Sequence, residues 1–452
     1  MKKAVLLVVF SYIIFFILTP PIQTPDENEH YENIYWVSRN IYPYQPEKHA
    51  QKVVQFVDEL DHYFDLKMTS PNRNYILPNY SKIQKSGLWK KQFYSQTEEA
   101  KFEPITLQSY HPYLYYFSGS ILFRLGRFLQ LSLLPLYYFT RLISTLYYVG
   151  IVYFAYQILK IVIKNQKTAL YTWLFFSLNP TVIKTGIGIN PDIGMAFFAT
   201  LLLYVVLKWA TKILTYKQII IIAIISAAAA LSKFSGIFTA LFSNLVLLIN
   251  HQKTRRTLIN FLIFNLLFLI FISPWLFLNY SRYATLTTRS FYLAESKQVY
   301  PRPVLKSAVL AVWEFRHTVM HYSGFMGAGN ERYPVKPFFL TYTVAIILLS
   351  LIGFIAYLKT KNRYRTIITL YTGSLFCFFY ILAFYFKKAG FNWDIQGRFF
   401  VSGFFLISLF LVYGISSLLK IKLLRASKIM AVFSLFHYYL ILFMVIIPGY
   451  YV

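Results

Sequence analysis

An all-α polytopic membrane protein, with about 11–12 transmembrane helices and two large extracytoplasmic loops, is predicted by three observations. The first is composition. Of 452 residues, 57% are hydrophobic, 20% aromatic and only 14% charged, and the mean hydropathy is +0.48; a soluble domain carries about a quarter charged residues. The second is layout, in which long apolar runs alternate with short basic loops. The third is charge, with 45 Lys and Arg against 17 Asp and Glu and a net +28. Most of that excess falls in the short loops, so the positive-inside rule explains it and no nucleic-acid partner is required. The single cysteine, Cys377, lies in an apolar run, which excludes an intramolecular disulfide and a Cys-based metal site.

The first span follows Met1-Lys2-Lys3 and runs to Thr19. No small-residue cleavage site precedes Pro20-Pro21, so it reads as an uncleaved helix with a cytoplasmic N-terminus. Further apolar runs cover roughly 134–160, 169–189, 192–210, 218–232, 236–250, 258–278, 338–358, 364–386, 398–419 and 429–448. The basic loops fall on alternate sides of these runs. Lys160-to-Lys167, Lys208-to-Lys217, Lys253-to-Arg256, Lys359-to-Arg365 and Lys420-to-Lys428 are all cytoplasmic on this count. A full crossing by His111 to Gln130 would invert every later loop, so that stretch is predicted to be re-entrant, interfacial or partial. The runs flanking Lys233 are short for about 30 Å of hydrocarbon and are predicted to meet at a shallow outer turn. Two long segments, 21–108 and 279–337, remain outside, and loops of that length between membrane helices are usually functional. No period of 20 to 50 residues is visible, which argues against a solenoid or propeller.

Polar chemistry collects on the outer face. Pro25-Asp26-Glu27-Asn28-Glu29-His30 is the densest acidic cluster and follows the first span directly. It reads either as a capped helix start with solvated carboxylates or as reactive acids. Asn190-Pro191-Asp192 lies between two spans; Asp192 is a candidate helix cap, yet an acid so close to hydrocarbon is costly unless paired or solvated. Lys233 and Arg398 stand on the same face, against the positive-inside bias, where an ammonium and a guanidinium suit an anionic lipid phosphate. Lys184, Lys387 and Lys388 are near the same level, and the last two read as snorkelling helix-end lysines. Arg141 either pairs with a loop carboxylate or joins the phosphate site. The second outer loop carries Trp313, Arg316, His317 and His321, followed by Gly327-Ala328-Gly329. Its two histidines are four apart, but a His pair without an adjacent Glu or Cys does not by itself make a metal site. Aromatic and polar residues on a Gly-hinged loop fit a cover over a saccharide or lipid chain better.

Carboxylates can accept a proton from an acceptor hydroxyl, and cations can stabilise a phosphate leaving group. The outer compartment has no supply of nucleotide sugars, so an activated donor arrives there as a lipid-linked phosphate. The residues therefore point to group transfer from a polyprenyl-phosphate donor to an external acceptor. Two other readings stay open. A lipid-linked saccharide transporter or flippase usually places its ionisable groups near the midplane and shows inverted repeats. A polysaccharide polymerase or ligase is kept in play by Arg316, His317 and His321.

A first span followed by a long outer loop opening with Asp-Glu resembles the GT-C superfamily of integral membrane glycosyltransferases. That superfamily includes protein O-mannosyltransferases, the aminoarabinose transferases of lipid A and a related uncharacterised bacterial group. The resemblance rests on the stretch from Pro20 through Pro25-Asp26-Glu27 to His30, and on His111-Pro112-Tyr113-Leu114-Tyr115-Tyr116, which is similar to a Pro-Pro-Leu-Tyr-Tyr stretch although Tyr113 replaces the second proline. Arg141, Asn190-Pro191-Asp192, Lys233 and Gln396-Gly397-Arg398-Phe399-Phe400 follow in order; the Pro-Asp-Glu opening and the Gln-Gly-Arg stretch are most similar to the uncharacterised group. The resemblance implies Asp26 as the base with Glu27 beside it, Asp192 assisting, and an inverting reaction. It implies Lys233 and Arg398 as holders of the donor phosphate; Arg141 is a further candidate for that site, and His111 a candidate substrate-loop residue. Some members use a divalent metal such as Mg or Mn and others none; Asp26 and Asp192 would be its ligands here. The implied organisation is a GT-C-like catalytic module over 1–278, the second outer loop over 279–337 and C-terminal transmembrane helices over 338–452. No separate soluble C-terminal domain is expected. The implied setting is a plasma membrane, with a polyprenyl-phosphate sugar, an extracytoplasmic acceptor and membrane lipid as partners.

Overall fold

A computed structural model describes residues 1–19, 21, 27–39, 111–209, 213–249, 254–283, 302–322, 336–390 and 397–447, and among these there is no strand. The chain is an all-α polytopic membrane protein. Its helices are α1 Lys2–Leu18, α2 Glu27–Ser38, α3 Leu114–Phe128, α4 Leu133–Val162, α5 Gln166–Ser177, α6 Pro180–Ile187, α7 Pro191–Trp209 and α8 Tyr216–Ser232. They continue with α9 Phe238–Ile249, α10 Thr254–Tyr283, α11 Val304–Tyr322, α12 Lys336–Leu358, α13 Arg365–Lys388, α14 Val401–Leu418 and α15 Leu423–Ile441. By length and composition six described helices can cross a membrane: Leu134–Val162, Pro191–Trp209, Arg255–Ser281, Arg365–Lys388, Arg398–Leu418 and Leu423–Met444. The remaining apolar runs are helical too; α12 has 23 residues, and the others are shorter or broken.

The breaks have local causes. The run predicted over 169–189 divides at Asn179-Pro180, because Pro180 cannot donate to the preceding turn and the Asn179 side chain caps the new helix by accepting from the Thr181 and Val182 amides. The runs on either side of Lys233 meet, as predicted, at a single 3-10 turn, Phe234–Ile237. Helix α3 has 15 residues, or roughly 22 Å at 1.5 Å per residue, less than the hydrocarbon thickness. It packs between α2 and α4.

The segment predicted as a second open loop contains a long helix, α11. Ser307, Ala311 and Glu314 are buried at helical spacing, while Leu305, Val309, Val312 and Trp313 face outward, as suits a helix lying at a membrane interface. It packs on α13 and on the 3-10 turn Gly397–Phe400. Lys387 is not a snorkelling lysine: it is 3% exposed, and its Nζ lies 2.9 Å from Glu314 Oε1, so a buried ion pair holds α11 to α13.

Helices α12 and α14 make the most extensive pairing in the bundle. Two glycines allow it. A Cβ on Gly353 would run into the Phe410 carbonyl, and one on Gly414 into the Leu349 carbonyl, so the backbones touch where any side chain would part them. Gly414→Leu should therefore cost about 1–3 kcal/mol through overpacking, read as a lower thermal unfolding midpoint in detergent.

Candidate active site

Two buried ionic clusters stand at one end of the bundle, joined by a thread of hydrogen bonds. The first begins on α2. Glu27 is fully buried and meets Arg141 of α4 in a two-pronged contact, with Nε donating to Oε1 at 2.8 Å and Nη2 to Oε2 at 2.9 Å. Arg141 Nη1 also donates to the Thr19 carbonyl at 2.9 Å, and the Ile189 amide donates to Glu27 Oε1 at 2.9 Å. Tyr137 and Tyr138 lie against the guanidinium, 5.1 and 5.4 Å from ring centroid to Cζ. Burial opposes ionisation of Glu27, but the Arg141 charge and hydrogen bonds outweigh it and hold the carboxyl below its ordinary range. Of the two alternatives for Arg141, the structure has the pairing with a carboxylate.

The thread continues through Tyr115, whose hydroxyl contacts Ser144 Oγ at 2.7 Å and accepts from the Asn190 amide at 2.8 Å. Asn190 then caps α7, its Oδ1 accepting from the Asp192 amide at 2.9 Å. Asn190, not Asp192, is thus the helix cap, and the Asp192 side chain is left for another use.

That use defines the second cluster. Asp192 is fully buried. Lys233 Nζ lies 2.7 Å from Oδ1 and Arg398 Nε 3.3 Å from Oδ2, so three segments far apart in sequence converge on one carboxylate. Lys233 ends α8 in an extended conformation, and the Gly236 amide donates to its carbonyl at 2.8 Å. A Cβ on Gly236 would strike the Ala229 carbonyl, so glycine is what lets the chain turn this tightly beside the lysine. Arg398 stands in the 3-10 turn before α14. Phe399, next to it, packs parallel to Phe379 with centroids 5.8 Å apart and lies 4.5 Å under Lys233 Nζ.

Helix α2 brings His30 within the electrostatic reach of the second cluster. Its Nδ1 is 2.9 Å from the Tyr116 hydroxyl and its ring 5.9 Å from that of His111. Burial, with the charges of Lys233 and Arg398, pushes the imidazole well below its ordinary pKa and keeps it neutral.

The structure thus brings Asp192, Lys233 and Arg398 together and places His111 beside His30, while Glu27 and Arg141 form a separate pair. Asp26 lies outside the described residues and directly precedes α2 in sequence. Trp313 is 57% exposed on α11, and Arg316, His317 and His321 belong to the same helix, with side chains outside the described set. Among the described residues, no group of three or more His, Cys, Asp and Glu could hold a metal. The arrangement at Asp192 suits an anion rather than a divalent cation, since an ammonium and a guanidinium already stand against its two oxygens and would repel one. Sequence reasoning missed His30, although the signal was there: it ends the acidic motif four positions after Asp26, one helical turn along.

The sequence matches, over residues 9–409, the family described as "Predicted membrane protein (DUF2142)". No curated protein matches it. Among solved structures the chain is similar to an Archaeoglobus fulgidus oligosaccharyltransferase crystallised with zinc and sulfate, at 14% identity and a TM-score of 0.39. The similarity covers 76% of this chain and 46% of that one, so this chain spans less than half the length of that relative.

Proposed function

The chain belongs to the DUF2142 family of membrane proteins, and we propose that it is a GT-C-type glycosyltransferase moving a sugar from a polyprenyl-phosphate donor to an extracytoplasmic acceptor at the plasma membrane. The observation that carries this reading is the meeting of Lys233 and Arg398 on buried Asp192, at the ends of membrane helices and beside α2. An ammonium with three donors and a guanidinium with five can serve a carboxylate and a phosphate together. Asp192 fixes both cations in place before the donor arrives, so they need not reorganise as charge develops.

In this mechanism Asp26 accepts the proton of the acceptor hydroxyl, whose oxygen attacks the anomeric carbon. The bond from that carbon to the phosphate oxygen breaks, its electron pair leaves on the phosphate, and Lys233 and Arg398 stabilise the charge. A single in-line displacement inverts the anomeric centre. Glu27 and Arg141 act at one remove, anchoring the start of α2 next to Asp26 in sequence. No step requires a metal at Asp192.

Purified protein given radiolabelled polyprenyl-phosphate sugars and cell-wall extract should release free polyprenyl phosphate and label the extract. Intact donors, together with movement of labelled lipid across a reconstituted bilayer, would replace transfer by transport. Lys233→Ala and Arg398→Ala should each weaken donor binding by about 10- to 150-fold, the loss of one charge-assisted hydrogen bond of about 1.5–3 kcal/mol. Equilibrium binding of a short-chain polyprenyl phosphosugar checks this.

A further inference from the structure

On one face of α2, three residues apart, stand two buried groups whose hydrogen-bonding capacity the fold leaves unspent. His30 is 1% and Asn33 6% exposed. Among the described residues the His30 side chain makes one hydrogen bond, from Nδ1 to Tyr116, and none at Nε2. The Asn33 amide Nδ2 has none either. Leaving such groups dry and unpaired is costly, so a site containing them is built to receive matching polar groups. Both are uncharged: burial, with the charges of Lys233 and Arg398, keeps His30 so. In a lipid phosphosugar the hydroxyls lie within a few ångströms of the phosphate, and here the neutral His30 imidazole lies within the electrostatic reach of the candidate phosphate cations, with Asn33 one turn further along the same helix face.

We propose that His30 and Asn33 form the subsite for the donor's sugar hydroxyls, and that the sugar is an uncharged one. The assignment rests on the phosphate reading of Lys233 and Arg398. A neutral imidazole and a carboxamide exchange hydrogen bonds with hydroxyls at no charge cost, whereas an ammonium on the sugar would stand beside two cations. A site that hydrogen-bonds hydroxyls also rejects a ligand that lacks them, because its own buried groups are then unpaired.

The probes are short-chain polyprenyl phosphoglucose, phosphomannose, phosphogalactose and phosphoglucosamine, with polyprenyl methyl phosphate as a sugar-free diester of the same charge. The wild type should bind at least one of the three hexose forms about tenfold more tightly than the methyl diester, and its glucosamine form more weakly than its glucose form. His30→Asn keeps an amide at the Nδ1 position for Tyr116 but removes Nε2, and Asn33→Leu removes a buried unpaired amide without threatening the fold. Each should reduce the hexose preference about tenfold and leave methyl-diester binding unchanged. His30→Gln, which restores an amide near Nε2, should recover most of it. The subsite is overturned if no hexose is preferred, if neither variant changes the preference, or if His30→Asn is tolerated while His30→Gln is not. Equal or tighter glucosamine binding overturns the uncharged-sugar assignment. Failure of the wild type to bind any of these phosphodiesters, the methyl diester included, brings down the donor-phosphate reading itself.

Discussion

Arg141→Met is expected to destabilise the protein by about 3–5 kcal/mol, the cost of leaving a buried partner charge uncompensated. Glu27 is fully buried, and both of its oxygens face the guanidinium. Loss of Arg141 also strands the Thr19 carbonyl, and with it the joint between α1 and α2. Thermal unfolding in detergent should show the effect, and the double variant Glu27→Gln/Arg141→Met should lose less than the two single variants summed, because neither charge is then left alone. A double loss equal to that sum would mean the pair is not coupled. The same pair sets a pH dependence. Glu27 has its carboxyl lowered in the fold, so its contribution is complete above the ordinary carboxylate range and is lost as the pH falls through the lowered value. Arg141→Met should flatten this acid limb of the stability curve.

Asp26→Asn should reduce transfer by about 10²–10⁴-fold, the usual contribution of a positioned general base, while donor binding stays near the wild-type level. Binding survives because the proposed phosphate contacts are Lys233 and Arg398. Neighbouring Glu27 cannot take over as base, since Arg141 and the Ile189 amide already occupy its oxygens. Release of free polyprenyl phosphate is the readout. An Asp26→Asn protein that keeps more than about a tenth of the wild-type rate would remove Asp26 from the base role.

The apolar runs were legible because hydrocarbon tolerates little else, and the turn at Lys233 was legible because its flanking runs are short. The break at Asn179-Pro180 was readable in principle from the proline and the capping asparagine. Helix α11 was concealed by length alone: inside a segment read as a loop, the spacing of Ser307, Ala311 and Glu314 carried its helical period. Pairing was not legible. Arg141 meets Glu27 across 114 positions, and nothing local distinguishes that choice from the phosphate site. Lys387 likewise looked like a helix-end lysine because Glu314 is a neighbour only in space. Asp192, Lys233 and Arg398 were each singled out as misplaced charges near hydrocarbon. Their meeting, across the predicted boundary between the N-terminal module and the C-terminal helices, required the fold.

The spread of that cluster along the chain has a consequence for biosynthesis. Arg398 is made about 200 residues after Asp192, an interval of roughly 10–40 s at about 5–20 residues per second. Lys233 follows Asp192 by only 41 residues, so for most of that interval Asp192 can lean on Lys233 but has no guanidinium to meet. The cluster is therefore complete only once Arg398, in the turn before α14, has been made. On the proposed function, a nascent chain that stalls before then carries one cation of the phosphate site without the other, and should not turn over a lipid-linked donor.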